Sequence, residues 1–151
     1  MSSPAPLGPK PKKVVVVGLD NAGKSKLLRQ VWNDLGATLP RTISPSETSS
    51  TSLAEAAGIV FVVDATDDHP RWAEAKRELH GMLAAFPPGE LPPIVILGTK
   101  IDRPYAVEEA VLIHQLGLAE LVGGRPITMF MCSVDWKFGY KEAFKWLSEN
   151  L

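Results

Sequence analysis

The chain has 151 residues, of which 45% are hydrophobic and 22% are charged, and its formal net charge is −1. This length favours one domain with a single core, and so small a net charge gives no support for binding to nucleic acid or to an anionic membrane surface. The only cysteine, Cys132, excludes an internal disulfide, and no apolar run reaches the roughly 20 residues of a membrane-spanning helix.

The first 13 residues, MSSPAPLGPKPKK, contain prolines at positions 4, 6, 9 and 11. Proline clashes with the helical backbone, so this segment is not expected to form an amphipathic helix that inserts into a membrane. The composition instead predicts a disordered tail of proline and lysine at 1–13, followed by one domain at 14–151.

Four short apolar runs predict strands that are buried on both faces, at residues 14–17, 59–63, 94–97 and 127–131. Helical spacing of apolar residues and flanking Gly and Pro predict helices at 24–35, 70–86, 107–116 and 139–151. Residues 37–52 are rich in Thr, Ser and Pro and predict a loop. This alternation indicates an α/β fold with a parallel sheet covered by helices on both faces, and with ligands bound beyond the carboxyl ends of the strands.

The stretch GLDNAGKS, residues 18–25, fits the phosphate-loop pattern G-x-x-x-x-G-K-[ST] and lies between a predicted strand and a predicted helix. Glycines let backbone amides turn toward one anion, and the helix N-terminus adds its positive dipole end. Lys24 is expected to reach the outer phosphates, and Ser25 to ligate Mg²⁺. The loop residues predicted to bind nucleotide are Asp20, Asn21, Ala22, Gly23, Lys24, Ser25 and Lys26.

The stretch GTKID, residues 98–102, follows the third predicted strand and resembles the guanine-reading N-K-x-D motif of GTPases. The resemblance implies that Asp102 accepts hydrogen bonds from the guanine base and that the stem of Lys100 packs along the base plane. Thr99 replaces the Asn and keeps a hydroxyl that can brace the phosphate loop. Cys132 and Ser133 lie where GTPases direct a backbone N–H toward the guanine oxygen.

These motifs, together with VVDATD, LGTKIDRPYA and FMCSVDWKFGYKEAFKWLSENL, resemble the Sar branch of the Arf-like small GTPases. The resemblance covers roughly residues 14–35 and 58–151 and implies a P-loop NTPase that binds GTP or GDP with Mg²⁺. It also implies a role in vesicle-coat assembly and protein transport between the endoplasmic reticulum and the Golgi. The implied partners are an exchange factor and inner coat subunits, and the implied location is the cytosolic face of these membranes.

The sequence departs from this family between its first two predicted strands. Ser46 is the best match to the hydroxyl that ligates Mg²⁺ in the first switch, and Thr48 is a poorer one. From residue 48 to residue 56 only nine residues remain before the next strand, too few for the two strands and the D-x-G-G-H segment of the second switch. We therefore expect a sheet shortened by two strands, with the strand at 14–17 exposed near a sheet edge.

No residue can be named for positioning the attacking water, so the catalytic residues are unknown and hydrolysis of GTP is expected to be slow. Asp64 ends a strand and is a further residue able to approach the metal. A catalytically dead pseudo-GTPase, or a truncated variant that acts only as a binding module, is one alternative. An ATP-using P-loop kinase is another, and Lys100 and Asp102 argue against it.

Overall fold

The computed structural model describes residues 12–35, 43–47, 56–87, 89–121 and 126–151. These residues form five strands and four α-helices in the order β1 (Lys12–Gly18), α1 (Lys24–Leu35), β2 (Ile43–Glu47), β3 (Gly58–Asp64), α2 (His69–Ala84), β4 (Ile94–Thr99), α3 (Glu109–Gln115), β5 (Ile127–Met131) and α4 (Tyr140–Asn150). A short 3₁₀ helix, Leu118–Glu120, follows α3. Most of the predicted tail lies outside the described residues, and β1 begins at Lys12, two residues before the predicted strand.

The described strands form one sheet in the order β2-β1-β3-β4-β5, and every neighbouring pair is parallel. Side chains alternate between its two faces, because successive residues of a strand point in opposite directions. Ile59, Phe61 and Val63 join the core beneath α2 and α3. Val60 and Val62 join the core beneath α1 and α4. The predicted α/β fold with helices on both faces is thus confirmed.

Strand β2 corrects the prediction of a continuous loop over residues 37–52. Its backbone pairs with β1, placing Ser44 opposite Lys13 and Ser46 opposite Val15. Serine and proline are poor strand formers, so the local pattern gave no sign of it. Pro45 is compatible with this position because β2 has a described neighbour on one side only, and a proline costs no ladder hydrogen bond on an open side.

The expectation of an exposed apolar strand at 14–17 is wrong. Strand β1 lies between β2 and β3, and Val14, Val15 and Val16 are at most 1% exposed. The pairing that β2 supplies covers the side of β1 that the sequence left open. An unpaired strand edge of this composition would favour aggregation, and this fold protects it.

The predicted bounds of α1 are confirmed, and those of the other three helices shift by one to two residues. Helix α2 begins at His69, because the Asp68 side chain accepts a hydrogen bond from the Arg71 N–H at 3.1 Å and caps the helix. Helix α3 ends at Gln115, and Gly117 then adopts a left-handed conformation with φ 61°. Within the described ranges, no helix is both long enough and apolar enough to cross a membrane.

Candidate nucleotide-binding site

The residues predicted to bind a nucleotide lie mostly at one edge of the sheet, beyond the carboxyl ends of the strands. Strand β1 ends at Gly18, β3 at Asp64, β4 at Thr99 and β5 at Met131. Parallel pairing brings these ends side by side. The phosphate-binding loop, residues 18–25, therefore lies beside the polar segments that follow β3, β4 and β5.

The phosphate-binding loop is built from backbone conformations that most side chains avoid. Positive φ angles occur at Gly18 (149°), Asn21 (64°) and Gly23 (99°). A Cβ at Gly18 would lie 2.4 Å from the carbonyl oxygen of Val62 on β3, so glycine alone lets the loop leave β1 this close to its neighbour. The ammonium of Lys24 donates to the Gly18 carbonyl oxygen at 2.8 Å. A helix N-terminus with a lysine ammonium beside it is suited to phosphate.

Thr99 ties the phosphate-binding loop to the sheet. Its hydroxyl is 2.8 Å from the carbonyl oxygen of Ala22 in the loop and 3.1 Å from that of Val63 on β3. The Thr99 side chain is only 3% exposed, so water cannot readily replace it as the donor. The hydroxyl thus makes the bracing contact expected of the residue that replaces Asn in this motif.

The Thr99→Val substitution keeps the shape of this side chain and removes its hydroxyl. Leaving a buried carbonyl oxygen without its donor costs about 1–3 kcal/mol, so we expect the free energy of unfolding to fall by about 1–2 kcal/mol in urea denaturation. Thr128→Val on β5, where the side chain is half-buried, is the matched control and should change stability by less than about 0.5 kcal/mol. Equal losses in both variants would show that the Thr99 hydroxyl does not brace the loop.

Asp102 is held in place by the segment that follows β5. The Ser133 hydroxyl donates to Asp102 Oδ1 at 2.8 Å and accepts from the Trp136 N–H at 3.0 Å. The other carboxylate oxygen, Oδ2, lies 3.8 Å from Arg103 Nε. Ser133 is fully buried, so its hydroxyl holds one oxygen of Asp102 in place from the protein interior. The carboxylate can still accept further hydrogen bonds from a ligand.

A cavity of about 290 Å³ lies above this carboxylate. It joins the phosphate-binding loop to the segments after β4 and β5, and it is lined by Asn21, Gly23, Lys26, Thr99, Lys100, Asp102, Arg103, Val134 and Asp135. Its lining includes the carboxylate that Ser133 holds and residues of the phosphate-binding loop, an arrangement able to bind a planar base with hydrogen-bond donors and a phosphate chain.

The backbone amides of the two residues predicted after β5, Cys132 and Ser133, bond within the protein. The N–H of Cys132 donates to the Gly98 carbonyl oxygen at 2.7 Å, and that of Ser133 donates to Phe138 at 3.0 Å. Both amides are therefore committed to the protein itself. The N–H of Val134, which lines the cavity, has no acceptor among the described residues. The N–H of Asp135, which also lines the cavity, likewise has no acceptor among the described residues, so Val134 and Asp135 are further candidate amide donors that the sequence did not indicate. The assignment of Cys132 and Ser133 to the nucleotide stays a prediction.

Two other predicted loop residues make contacts that the sequence did not indicate. Lys26 forms an ion pair with Asp135 at 2.7 Å, and since both side chains are more than half exposed this pair contributes little to stability. Arg71 on α2 donates to the carbonyl oxygen of Asp20. Arg71 and Asp20 are 51 positions apart, so no local pattern could have revealed their contact. Asp135 lies two residues after Ser133, which the sequence placed at the site, and this closeness in the chain was the available indication that Asp135 lies there too.

The two predicted magnesium ligands occupy different places. Ser25 is the second residue of α1, directly after Lys24, and is exposed at the mouth of the phosphate-binding loop. The backbone of Ser46 lies opposite Val15, three residues before the loop begins at Gly18. The position of Ser25 is compatible with a metal bound beside phosphates, and the assignments of Ser25 and Ser46 to Mg²⁺ both stay predictions. The described residues contain no group of three or more His, Cys, Asp or Glu able to hold a metal ion.

Cys132 is fully buried beneath this site, and burial raises the pKa of its thiol to about 12 from 9.0. Only the thiolate reacts with disulfide reagents. We therefore expect Cys132 of the folded protein to react hardly at all with such a reagent at pH 8, and one thiol per chain to react once the protein is unfolded in urea. Because the folded thiol ionises less readily than the unfolded one, its contribution to stability is complete below pH 9.0 and declines as the pH rises further. Rapid labelling under native conditions would contradict this burial.

The fold and the phosphate-binding loop define a P-loop nucleotide-binding domain. The model of the ADP-ribosylation factor family matches residues 50–151. The small COPII coat GTPase SAR1 of Giardia intestinalis is 32% identical over 171 aligned residues, which cover 91% of this chain and 88% of that protein. ADP-ribosylation factor-like protein 5 of Caenorhabditis elegans is 30% identical, with 92% and 90% covered. The SAR1 protein of Nicotiana tabacum is 26% identical, with 94% and 90% covered.

The chain therefore belongs to the ADP-ribosylation factor family, and its likeness to the Sar and Arf-like small GTPases is confirmed. The alignment with the Giardia protein is longer than the 151 residues of this chain. That relative therefore contains internal residues that this chain lacks, in keeping with the missing block expected from the sequence. These matches give no support to the pseudo-GTPase alternative.

Proposed function

We propose that this protein binds guanine nucleotides, GDP and GTP, together with Mg²⁺. The observation that carries the proposal is the position of Asp102, whose carboxylate is fixed by Ser133 at 2.8 Å in a cavity that also reaches Asn21 and Gly23 of the phosphate-binding loop. A carboxylate accepts hydrogen bonds only. Guanine presents two adjacent donors, whereas the corresponding edge of adenine presents an acceptor, so this carboxylate favours guanine.

Each remaining group of the site has a role in this proposal. The stem of Lys100 lines the cavity and would pack along the base. The N–H of Val134 would donate to the guanine oxygen, and Lys24 would move from the Gly18 carbonyl oxygen to the outer phosphates. Ser25 would supply one hydroxyl ligand to Mg²⁺, which neutralises phosphate charge when bound.

The proposed cellular role follows from the relatives. Two of them are described as small COPII coat GTPases, so we propose that this chain acts in assembly of the inner vesicle coat on the cytosolic face of the endoplasmic reticulum, in transport toward the Golgi. An exchange factor and coat subunits are the partners this role requires. A binding assay with purified coat subunits tests this role, because the Giardia relative contains internal residues that this chain lacks.

Nucleotide preference is the direct test of the proposal. We expect purified protein with Mg²⁺ to bind a fluorescent GDP at least 100-fold more tightly than the matching ADP, because the Asp102 carboxylate opposite adenine forfeits two charge-assisted hydrogen bonds of about 1.5–3 kcal/mol each. The Lys24→Ala variant should weaken binding of both nucleotides, because it removes the cation at the phosphates. Equal affinity of the intact protein for GDP and ADP would reject guanine recognition and favour an adenine-using enzyme.

A further inference from the structure

A buried carboxylate, that of Asp64, lies next to the candidate nucleotide-binding site but is not among the residues predicted to bind the nucleotide. Asp64, the last residue of β3, is 7% exposed. Its Oδ1 accepts hydrogen bonds from the N–H of Thr66 at 2.7 Å and from the Thr66 hydroxyl at 2.6 Å. Its Oδ2 accepts from the ammonium of Lys100 at 2.7 Å. Both oxygens are therefore engaged by the protein, which argues against the metal-binding role considered from the sequence.

These contacts keep Asp64 ionised. Burial is the largest single influence on the pKa of Asp64 and raises it, but the hydrogen bonds from Lys100 and Thr66 together outweigh burial and hold the pKa below its ordinary value of 3.8. The charge, and with it the attraction to Lys100, is present throughout the neutral range and is lost only as the pH falls below 3.8.

Lys100 connects this carboxylate to the phosphate-binding loop. Its ammonium donates to Asp64 and also to the carbonyl oxygen of Asn21, at 2.9 Å. The Lys100 backbone has φ 64°, a conformation uncommon for residues other than glycine. Its side chain is one-third exposed and lines the cavity beside Asp102. Without Asp64, a flexible four-carbon stem would have one carbonyl oxygen to hold it in this direction.

We propose that Asp64 is a positioning residue of the nucleotide site, which fixes Lys100 between the phosphate-binding loop and the base cavity. This inference rests on the proposed function. An ion pair that served stability alone would not require the lysine to contact the phosphate-binding loop as well. Replacing a buried ion pair by apolar residues often leaves the stability of a protein unchanged. Here the chain of contacts runs from the end of β3 through Lys100 to Asn21, so the carboxylate sets where the lysine stem lies before a nucleotide arrives.

The test combines a double-mutant cycle with a measurement that needs no nucleotide. Asp64→Asn keeps an acceptor for Thr66 and removes the charge that attracts Lys100, and Lys100→Met keeps an apolar stem without the ammonium. We expect Asp64→Asn to weaken GDP binding about 10-fold, and the double variant to bind like Lys100→Met alone, because Asp64 acts through Lys100. Independent, additive losses would overturn the inference. Glu78→Gln, on the exposed side of α2, removes one charge elsewhere and should leave GDP binding unchanged.

The second measurement is the rate at which acetic anhydride modifies Lys100 in nucleotide-free protein, followed by mass spectrometry. Lys145 on α4 is exposed and serves as the internal standard. We expect Lys100 to react more slowly than Lys145 in the intact protein, and several-fold faster in Asp64→Asn while Lys145 is unchanged. An unchanged Lys100 rate would overturn the inference, and this holds even if the intact protein binds no GDP, an outcome that would reject the proposed function instead.

If Asp64→Asn does not fold, Thr66→Val replaces it and should increase the Lys100 rate by a smaller factor, whereas no increase would reject the inference.

Discussion

Replacing Asp102 with Asn is expected to change the preferred base from guanine to xanthine. The carboxylate accepts from two adjacent donors of guanine, whereas the amide of Asn donates at one of these positions, where xanthine carries an oxygen. Loss of a hydrogen bond to a charged group costs about 1.5–3 kcal/mol, and a donor placed against a donor adds to the loss. The ratio of affinities for GDP and XDP should therefore fall by roughly 1,000-fold, measured by competition against a fluorescent nucleotide.

Asp135 provides the matched control for this substitution. It lines the same cavity, but its side chain is half exposed and pairs with Lys26 at the rim. Asp135→Asn removes the same charge without altering the carboxylate that Ser133 holds, so the preference for guanine over xanthine should persist. If Asp102→Asn and Asp135→Asn changed the preference equally, the effect would come from general electrostatics and Asp102 would not read the base.

Replacing Gly139 with Ala is expected to destabilise the protein by roughly 3 kcal/mol or more. Gly139 has φ 89°, and a Cβ there would lie 2.0 Å from the carbonyl oxygen of Met131, which is backbone and cannot move aside like a side chain. The segment between β5 and α4 would have to shift, and it carries the Ser133 hydroxyl that fixes Asp102. We therefore expect weaker GDP binding together with a lower midpoint in urea denaturation.

Gly81 on α2 makes the comparison informative, because a Cβ added there meets no atom within 4 Å. Alanine is favoured over glycine inside a helix by about 0.5–1 kcal/mol, so Gly81→Ala should stabilise the protein by up to that amount. Opposite signs for the two Gly→Ala substitutions are thus expected. A Gly139→Ala variant as stable as the intact protein would show that the segment after β5 adapts to a side chain.

Strong local signals in the sequence correctly predicted much of the fold. The continuous apolar run at 59–63 correctly predicted a strand buried on both faces. The run at 127–131 correctly predicted a strand, but only Ile127 of it is buried, because β5 has a described neighbour on one side only. The pattern at 18–25 predicted the phosphate-binding loop, because the glycines permit the turn and the lysine follows at a fixed spacing in the sequence. The weak signal was at Ile43–Glu47, whose serines and proline form a strand only because β1 offers an edge to pair with.

The sequence by itself determined the class of fold, the phosphate-binding loop and the acidic residue expected to read the base, since each depends on residues close together in the chain. Tertiary structure decided the contacts between distant residues. The pairing of Asp64 with Lys100, separated by 36 positions, and the hydrogen bond from the Cys132 N–H to the Gly98 carbonyl oxygen depend on the register of neighbouring strands. Register is a property of the whole sheet, because each strand is positioned by its partners and by the helices that cover both faces.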